Sequence, residues 1–589
     1  MIRYSRGVVT ILDRYGLRLR ACECHSVTLT SQISGQLSQE QGCAVETITI
    51  VLILLVAVVV SGFVSRMLPL PIPRPLVQIV LGGIIGSVSN LRVDLDPEIF
   101  FLLFIPPLLF LDGWRIPNEE LLKDRATVLE LALGLVFLTV VGIGLFVHWM
   151  IPAMPLTVAF ALAAVISPTD PIAVSAIAAR VPIPKRLMHI LEGESLLNDA
   201  SGLVCLRFAI AAALTGAFSL PEAALNFAWV ALGGIAVGFG ITWLTARGKE
   251  WIARRIGEES GSQILISLLL PFASYLLAEF LHCSGILAAV AAGLTMSFVE
   301  ASGRSMAVTR MRQNTVWDTI QFVANGIIFV LLGEQMPSIL EPAAETVRLT
   351  GHREPWWLLV YVLAIYIGLV VLRFVWVWVS LSLTIFKARL HGSKAQGPNW
   401  RLVAVTSLAG IRGAITLAGV LTLPIVLNDG SPFPARNLAI FLAMGVIIVS
   451  LVAASIGLPL LLRGFEMPAD PSYQAEEDRA RVAAAEAAIA EIERVQHTLA
   501  AGRRNADVYI AAAARVMDFY RTRIEARSRE GEAATLVRER EDAERTMRMA
   551  AIKAERTVIF RMLRSQQIGS ETADKLVREL DLLEARFDA

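Results

Sequence analysis

Long apolar runs separated by short polar loops dominate the chain from residue 44 to residue 465. Most of these runs are long enough to cross a bilayer as a helix, and the shorter ones suit helices packed inside a bundle. The runs are Ala44–Phe63, Pro75–Val88, Ile99–Leu111, Thr127–Ile151, Leu156–Ala179, Ser195–Thr215, Ala224–Leu244, Ile264–Leu281, Ile286–Phe298, Val316–Leu332, Trp356–Leu383, Leu402–Leu423 and Leu438–Leu462. The pattern predicts an all-α polytopic membrane protein with about thirteen transmembrane helices.

Basic residues follow the odd-numbered runs, as Arg180, Lys185 and Arg186 follow the fifth. The loops after even-numbered runs are poor in Lys and Arg, and Leu91–Glu98 is acidic. Because Lys and Arg are concentrated in cytoplasmic loops, this alternation predicts an N-terminus outside and a cytoplasmic C-terminus. The arginine-rich residues 1–43 conflict with this orientation, since they would also lie outside.

Hydrophobic residues make up 55% of the chain and its mean hydropathy is +0.60, which excludes a wholly soluble globular protein. The net charge of +1 indicates no nucleic-acid partner. Residues 1–43 lack the continuous apolar segment of a signal peptide, so we expect a poorly structured N-terminal leader. The transmembrane domain is expected to occupy residues 44–465.

The composition changes in residues 466–589, where Ala, Glu and Arg dominate and no proline follows Pro471. Apolar residues recur at helical spacing, as at Val508, Ala512 and Val516. The segment is predicted to be a cytoplasmic α-helical tail. The simplest expectation is that its helices pack on themselves, and a regulatory or dimer-stabilising role stays open.

Two of the apolar runs are interrupted. In the fifth, Asp170 lies between Pro168 and Pro171, which remove backbone donors and break the helix. In the twelfth, the glycine-flanked segment Leu408–Ala418 contains Arg412. The runs are seven apart, so the two segments cross in opposite directions, as in two inverted six-helix repeats joined by the seventh run. Interrupted helices in corresponding positions of two halves are typical of a transporter's binding site.

A polar stripe begins the sixth run. Ser195 and Asp199 are four residues apart, as are Glu194 and Asn198, and such pairs share one face of a helix. Ionisable residues inside a membrane segment are typical of functional sites. Together with Asp170 in the fifth run, the stripe predicts a buried polar site.

The T-D-P of Thr169–Pro171 and the E-S-L-L-N-D of Glu194–Asp199 together resemble the monovalent cation:proton antiporter-1 family, and the NhaP-like bacterial Na⁺/H⁺ antiporters in particular. The resemblance covers about Val45 to Phe465. It implies an NhaA-like antiporter fold in which the two broken helices cross near the midplane. It also implies a homodimer in the bacterial plasma (inner) membrane that exchanges Na⁺ for H⁺, by alternating access, in intracellular pH and sodium homeostasis.

Asp199 is the predicted exchange carboxylate. Burial favours the neutral form of a carboxylate, whereas a bound cation restores the charged form, so a proton and a cation compete for it. Small hard cations prefer oxygen ligands. The predicted cation- and proton-binding residues are Asp199, Asp170, Thr169, Ser195 and Asn198, with Na⁺ bound by Asp199 and Asp170. The predicted organising residues are Glu194, Arg412, Pro168 and Pro171.

The neutral Asn198 precedes Asp199 where electrogenic relatives carry a second aspartate, so we predict electroneutral 1:1 exchange, which Asp170 complicates because it could also titrate. Arg412 is expected either to pair with Glu194 or to complement the carbonyl ends of the broken helix. Arg207 is expected to snorkel or to pair. The other intramembrane polar residues Glu279, His282 and Arg373 are expected to be structural or near an interface, and Phe100–Phe110 to form a kinked core helix.

Three other functions are alternatives to Na⁺/H⁺ exchange. K⁺/H⁺ exchange on the same fold is the closest alternative, because no single residue distinguishes Na⁺ from K⁺ or Li⁺. A cation channel would conduct without proton coupling. An intramembrane aspartyl protease would carry G-x-G-D, which is absent from the chain. No enzyme signature is present, Cys22 and Cys24 lack the spacing of a zinc site, and no cofactor is expected beyond the transported ions.

Overall fold

The computed structural model describes residues 2–5, 8–11, 49–67, 72–88, 97–116, 128–171, 174, 185–215, 220–257, 259–300, 307–349, 354, 356–390, 399–427, 430–463, 471–501, 506–528 and 532–588. The chain divides into two compact units, Met1–Phe465 and Glu466–Ala589. The first residues of the predicted leader form a short antiparallel hairpin, β1 (Ile2–Ser5) and β2 (Val8–Ile11). The rest of the leader lies outside the described residues.

The rest of the first unit is helical. Its helices are α1 (Thr49–Met67), α2 (Arg74–Val88), α3 (Pro97–Arg115), a π-helical turn (Glu130–Leu135) that continues into α4 (Val136–Met150), α5 (Leu156–Ile166), α6 (Lys185–Thr215), α7 (Leu220–Ile256), α8 (Ser260–Phe280), α9 (Gly285–Glu300), α10 (Ala307–Leu349), α11 (Trp357–Leu390), α12 (Trp400–Leu408), α13 (Ala414–Leu421) and α14 (Arg436–Leu462). This confirms the predicted all-α class.

Within the described residues, eight helices are long and apolar enough to cross a membrane, and three shorter apolar helices accompany them. Every predicted apolar run overlaps one of the helices just named, because a run that is apolar on all sides satisfies its backbone only as a helix in lipid. The number of crossings and the inverted repeats stay predictions.

Burial separates central from peripheral helices. In α14, 61% of the most apolar window is buried inside the protein, whereas in α7 the share is 17%. Trp229, Phe239 and Trp243 on α7 are accordingly exposed. An apolar side chain that faces outward in this way suits contact with lipid tails, so α7 lies at the edge of the bundle and α14 in its core.

The two predicted breaks are present and they meet. Helix α5 ends at Ile166 and non-helical backbone follows, while α12 ends at Leu408 and α13 begins at Ala414. The backbone N–H of Asp170 donates to the carbonyl oxygen of Ile411 over 2.7 Å. The predicted crossing of two broken helices is therefore confirmed.

A close approach fixes α3 against α9. A Cβ on Gly293 of α9 would overlap the carbonyl oxygen of Phe110 in α3. Small residues let transmembrane backbones approach in this way. Because α3 also carries Asp112, this contact sets where that carboxylate lies.

The second unit contains α15 (Pro471–Ala500), α16 (Ala506–Ser528), α17 (Glu532–Arg564) and α18 (Ser570–Asp588). Helix α15 packs along α16, and α17 along α18. Arg556 of α17 contacts Asp581 (2.7 Å) and Glu584 of α18, and these carboxylates raise the pKa of Arg556 above its ordinary value. The ion pairs fix the register of the α17–α18 hairpin.

Candidate ion-binding site

A small cavity lies at the crossing of the broken helices. About 20 Å³ is open to the centre of a water-sized particle, which suits one or two waters or one partly dehydrated monovalent cation. The residues that line it come from α3, α6, α10, the start of α13 and both breaks: Leu108, Asp112, Pro168, Thr169, Asp170, Pro171, Ser195, Asp199, Asn325, Gly413, Ala414, Ile415 and Thr416.

Of the predicted binding residues, Asp199, Asp170, Thr169 and Ser195 line this cavity. Asp199 is 3% exposed and Asp170 is half-buried. Within the described residues, no three side chains of His, Cys, Asp or Glu are close enough to hold a metal ion together. A cation bound here would therefore depend on hydroxyl, carbonyl or water oxygens as well as on carboxylates.

Ser195 and Asn198 hold the fifth-run break against α6. The Ser195 hydroxyl donates to the carbonyl oxygen of Thr169 (2.6 Å), and the Asn198 amide Nδ2 donates to the Thr169 hydroxyl (2.9 Å). Asn198 is 1% exposed and is not among the residues that line the cavity. Its Oδ1 atom is buried without a hydrogen-bond partner among the described residues. The amide thus positions Thr169 from behind the cavity wall.

Gly413 brings the second break against Asp170. A Cβ on Gly413 would overlap the Asp170 carboxylate. The backbone φ of Gly413 is −129°, so space and not conformation requires glycine here. Any larger residue would push the carboxylate away from the cavity.

Arg412 binds carbonyl groups at the ends of both half-helices. Its Nε donates to the carbonyl oxygen of Ile166 (2.9 Å), and its Nη1 donates to that of Gly410. Its backbone N–H donates to the Ser450 hydroxyl (3.1 Å). A cation stabilises the negative C-terminal end of a helix. Of the two expectations for Arg412, the carbonyl contact is therefore correct, and the pairing with Glu194 is wrong.

Glu194 pairs instead with Arg373 of α11. Both side chains are nearly fully buried, and the guanidinium contacts both carboxylate oxygens, with Nη2 to Oε2 at 2.7 Å. The Nε of Arg373 also donates to the carbonyl oxygen of Thr406 (3.1 Å) at the end of α12. Arg373 is thus structural, one of the two expectations for it, although the sequence did not identify its partner. The pair joins the polar stripe of α6 to the second broken helix.

The structure also tests the predictions for Arg207 and for Phe100–Phe110. Arg207 pairs with Glu279 (2.7 Å), away from the cavity and partly exposed, so of the two expectations pairing is correct.

Helix α3 contains Pro106 and Pro107 in its interior, and its residues around them are buried, in agreement with a core helix. Cys205 and Cys283 are free thiols.

The sequence reasoning missed Asp112 and Asn325, which both line the cavity. Asp112 follows the third apolar run by one residue, where a carboxylate normally marks a membrane interface. The double proline five residues earlier was the available signal, because proline inside a membrane helix leaves carbonyl groups without donors, which is tolerated where the helix is buried in protein.

Three comparisons with known proteins identify the class of protein. Residues 50–464 match the family model of the transmembrane sodium/hydrogen exchanger. The chain belongs to the sodium/hydrogen exchanger family, which consists of transporters and not enzymes. It is a multi-pass membrane protein.

Two relatives are similar along much of the chain. The chain is 44% identical over 544 residues to an uncharacterised Na⁺/H⁺ exchanger, YjcE, of Escherichia coli, which covers 91% of this chain and 98% of that protein. It is also 44% identical over 417 residues to a sodium, potassium, lithium and rubidium/H⁺ antiporter of Bacillus subtilis, which covers 70% of this chain and 61% of that one. The latter match thus omits more than a third of the Bacillus protein.

A solved structure shows the same fold. The sodium proton antiporter MjNhaP1 from Methanocaldococcus jannaschii matches with a TM-score of 0.53 at 21% identity, over 71% of this chain and 99% of that chain. This confirms the predicted antiporter fold. At this identity the likeness concerns the fold alone.

Proposed function

We propose that this protein exchanges Na⁺ for H⁺ across the bacterial plasma membrane, with Asp199 as the shared binding group. The observation that carries the proposal is the position of Asp199, which is 3% exposed and lines the small cavity at the crossing. A buried carboxylate is destabilised when it is charged and alone, so it holds either a proton or a cation. This mutual exclusion couples the two fluxes.

The other cavity residues have separate roles in the proposal. Asp170 and the Thr169 oxygens complete the cation ligands, together with the hydroxyl of Ser195. Glu194, Arg373 and Arg412 maintain the crossing, and the two prolines, Pro168 and Pro171, keep its backbone open. Asp112 adds a third carboxyl group to the cavity wall, and its ionised form raises the local concentration of cations. No resident cofactor is needed.

The exchange is proposed to be electroneutral, with one Na⁺ for one H⁺. Asn198 supports this stoichiometry, because the position beside Asp199 carries a neutral amide and not a second carboxylate that could bind another proton. The amide instead donates a hydrogen bond to Thr169. A second titrating carboxylate, Asp112 or Asp170, would instead make the exchange carry charge. The dependence of the rate on membrane potential distinguishes the two.

Li⁺ and K⁺ are proposed as further substrates. The Bacillus relative is named for four monovalent cations, and oxygen ligands such as those of Asp199, Asp170 and Thr169 can bind several of them. We further propose a homodimer that works by alternating access, with its N-terminus outside and its tail in the cytoplasm. Its role would be the homeostasis of internal pH and sodium.

The test is cation-driven dissipation of a pH gradient in proteoliposomes with the membrane potential clamped. Asp199→Asn should insert normally and lose exchange with Na⁺, Li⁺ and K⁺ alike. Glu279→Gln is the matched control, because it changes a membrane-helix carboxylate outside the cavity. Exchange that survives in Asp199→Asn would transfer the shared-group role to another carboxylate. Proton movement by wild type that needs no cation would refute antiport.

A further inference from the structure

A second, much larger cavity shares no lining residue with the cavity at the crossing. The proposed exchange gives it no role. Its volume is about 670 Å³, within the range of sites that hold small molecules. It is bounded by the end of α7, the start of α8, the end of α9 and the start of α10. The basic loops that adjoin these helix ends predict that this is the cytoplasmic side.

Two buried polar side chains line this cavity without partners. Gln313 is 3% exposed and Thr242 is 1% exposed. Neither the Gln313 Nε2 nor the Thr242 Oγ1 has a hydrogen-bond partner among the described residues. A buried donor without an acceptor is costly and calls for an unseen partner. Since an amide nitrogen can only donate, the missing partner of Gln313 is an acceptor.

The rim supplies positive charge. Arg247, Lys249 and Arg254 line the cavity. The guanidinium of Arg247 lies over the Trp243 ring, 5.3 Å from its centroid, and has no carboxylate partner among the described residues. Arg254 is bound to Glu250 of the same helix over 2.6 Å. Arg247 is therefore the cation best placed to meet an incoming anion.

The two carboxylates of the wall are already bound within the protein. Glu250 accepts from Arg254, as described above. Glu300 accepts a hydrogen bond from Trp114 Nε1 over 2.8 Å. Both acids thus have partners inside the protein, and the donors that remain for a ligand include Gln313, Thr242 and the cation Arg247. Such a set binds an anion with several acceptor oxygens.

Much of the rest of the wall is apolar, and the cavity opens beside exposed apolar residues. Leu270 and Met296 are buried in the wall, and Trp243 is exposed at its edge. The neighbouring Leu244 and Trp251 are exposed as well. A ligand with a charged head and an apolar body fits this division. Basic pockets between membrane helices on the cytoplasmic side suit anionic lipid headgroups.

We infer that this cavity binds a phosphate-bearing anion, whose phosphate oxygens accept from Gln313, Thr242 and Arg247. The apolar wall favours the headgroup of an anionic phospholipid over a soluble phosphate compound as the source. The ligand is neither Na⁺ nor H⁺, so the inference does not depend on the exchange mechanism.

The test uses the purified full-length protein in detergent and measures lipid binding by native mass spectrometry and by thermal stability. The probes are phosphatidylglycerol, phosphatidylcholine with the same acyl chains, and soluble glycerol phosphate. Phosphatidylglycerol should bind and raise the unfolding temperature, and phosphatidylcholine should not. Arg247→Ala and Gln313→Leu should each weaken phosphatidylglycerol binding roughly tenfold or more, the scale of one lost charge-assisted hydrogen bond.

Arg255→Ala is the matched control. Arg255 lies on the same helix and also covers a tryptophan ring, at 4.4 Å from Trp251, but it does not line the cavity. The Arg255→Ala variant should bind phosphatidylglycerol with the same affinity as the wild-type protein. Binding of glycerol phosphate that equals that of phosphatidylglycerol would keep the phosphate site and name a soluble source. Equal binding of both lipids without glycerol phosphate binding, or unchanged affinity in Arg247→Ala and Gln313→Leu, would overturn the inference.

Discussion

Asp170 and Ile411 are joined by a main-chain hydrogen bond of 2.7 Å, although they belong to different interrupted helices that are 241 residues apart in the sequence. The bond holds the backbone of Asp170 at the crossing, and it does not depend on the rotamers of neighbouring side chains. Since it involves only backbone atoms, side-chain substitutions at Ile411 leave it in place. Substitutions that add bulk at the crossing are expected to disrupt the bond.

Gly413→Ala should abolish or strongly reduce exchange. The new Cβ would overlap the Asp170 carboxylate, and relief of such overpacking typically costs about 1–3 kcal/mol. The measurement is the exchange rate of the reconstituted variant, with insertion checked by its elution as a folded protein. Gly240→Ala is the control, because nothing lies within 4 Å of the added atom. Equal activity in both variants would show that Asp170 can move without loss.

Arg373→Met should lower the unfolding free energy by about 3–5 kcal/mol, because it leaves Glu194 charged, buried and unpaired. The double variant Glu194→Leu/Arg373→Met should recover most of that stability. Arg207→Met, which breaks the partly exposed pair with Glu279, should cost only about 0–1 kcal/mol. Thermal unfolding in detergent measures all three. A double variant no more stable than Arg373→Met would mean that the arginine acts chiefly through Thr406.

Asp112→Asn should raise the KM for the transported cation on the order of tenfold and change the maximal rate less. Asp112 lines the cavity and contributes negative charge there, whereas Asp199 remains to carry the coupling. Steady-state exchange against cation concentration measures it. The control is Asp318→Asn, an acid 64% exposed that pairs with Arg115 outside the cavity. Complete loss of exchange in Asp112→Asn would make Asp112 an obligatory part of the coupling.

The pH dependence should take the form of competition at Asp199. As the pH falls, protons occupy the carboxylate, so the KM for Na⁺ should rise about tenfold per pH unit once the protonated form dominates. Saturating Na⁺ should restore the rate. The measurement is the exchange rate against Na⁺ concentration at several pH values equal on both sides. A KM that stays constant while the maximal rate falls would point to a titrating group outside the cavity.

The crossing could be predicted from the sequence because its causes are local. Pro168 and Pro171 remove donors, and the glycine-flanked Arg412 interrupts an apolar helix, whichever helices surround them. Asp199 and Asp170 were likewise identified, since an acid in an apolar run has few structural explanations. Each of these features depends only on the chemistry of residues that are neighbours in the sequence.

Which residues pair across the bundle could not be predicted in the same way. Glu194 has arginines in two other apolar runs as candidate partners, Arg373 and Arg412, and hydropathy gives no distance between runs. Only the packed structure separates them. Asp112 was missed for a related reason, because the end of an apolar run looks the same whether it turns inward or reaches the membrane surface.

Helix α13 begins at Ala414, directly in the cavity wall, while Arg412 covers the carbonyl ends of α5 and α12. The negative ends of the half-helices are thus neutralised, and a positive helix beginning faces the carboxylates. A charge already partly balanced by the backbone attracts an arriving cation less strongly. We therefore expect these carboxylates to hold a cation less tightly than they would without the helix beginning, which favours release of the ion over its retention.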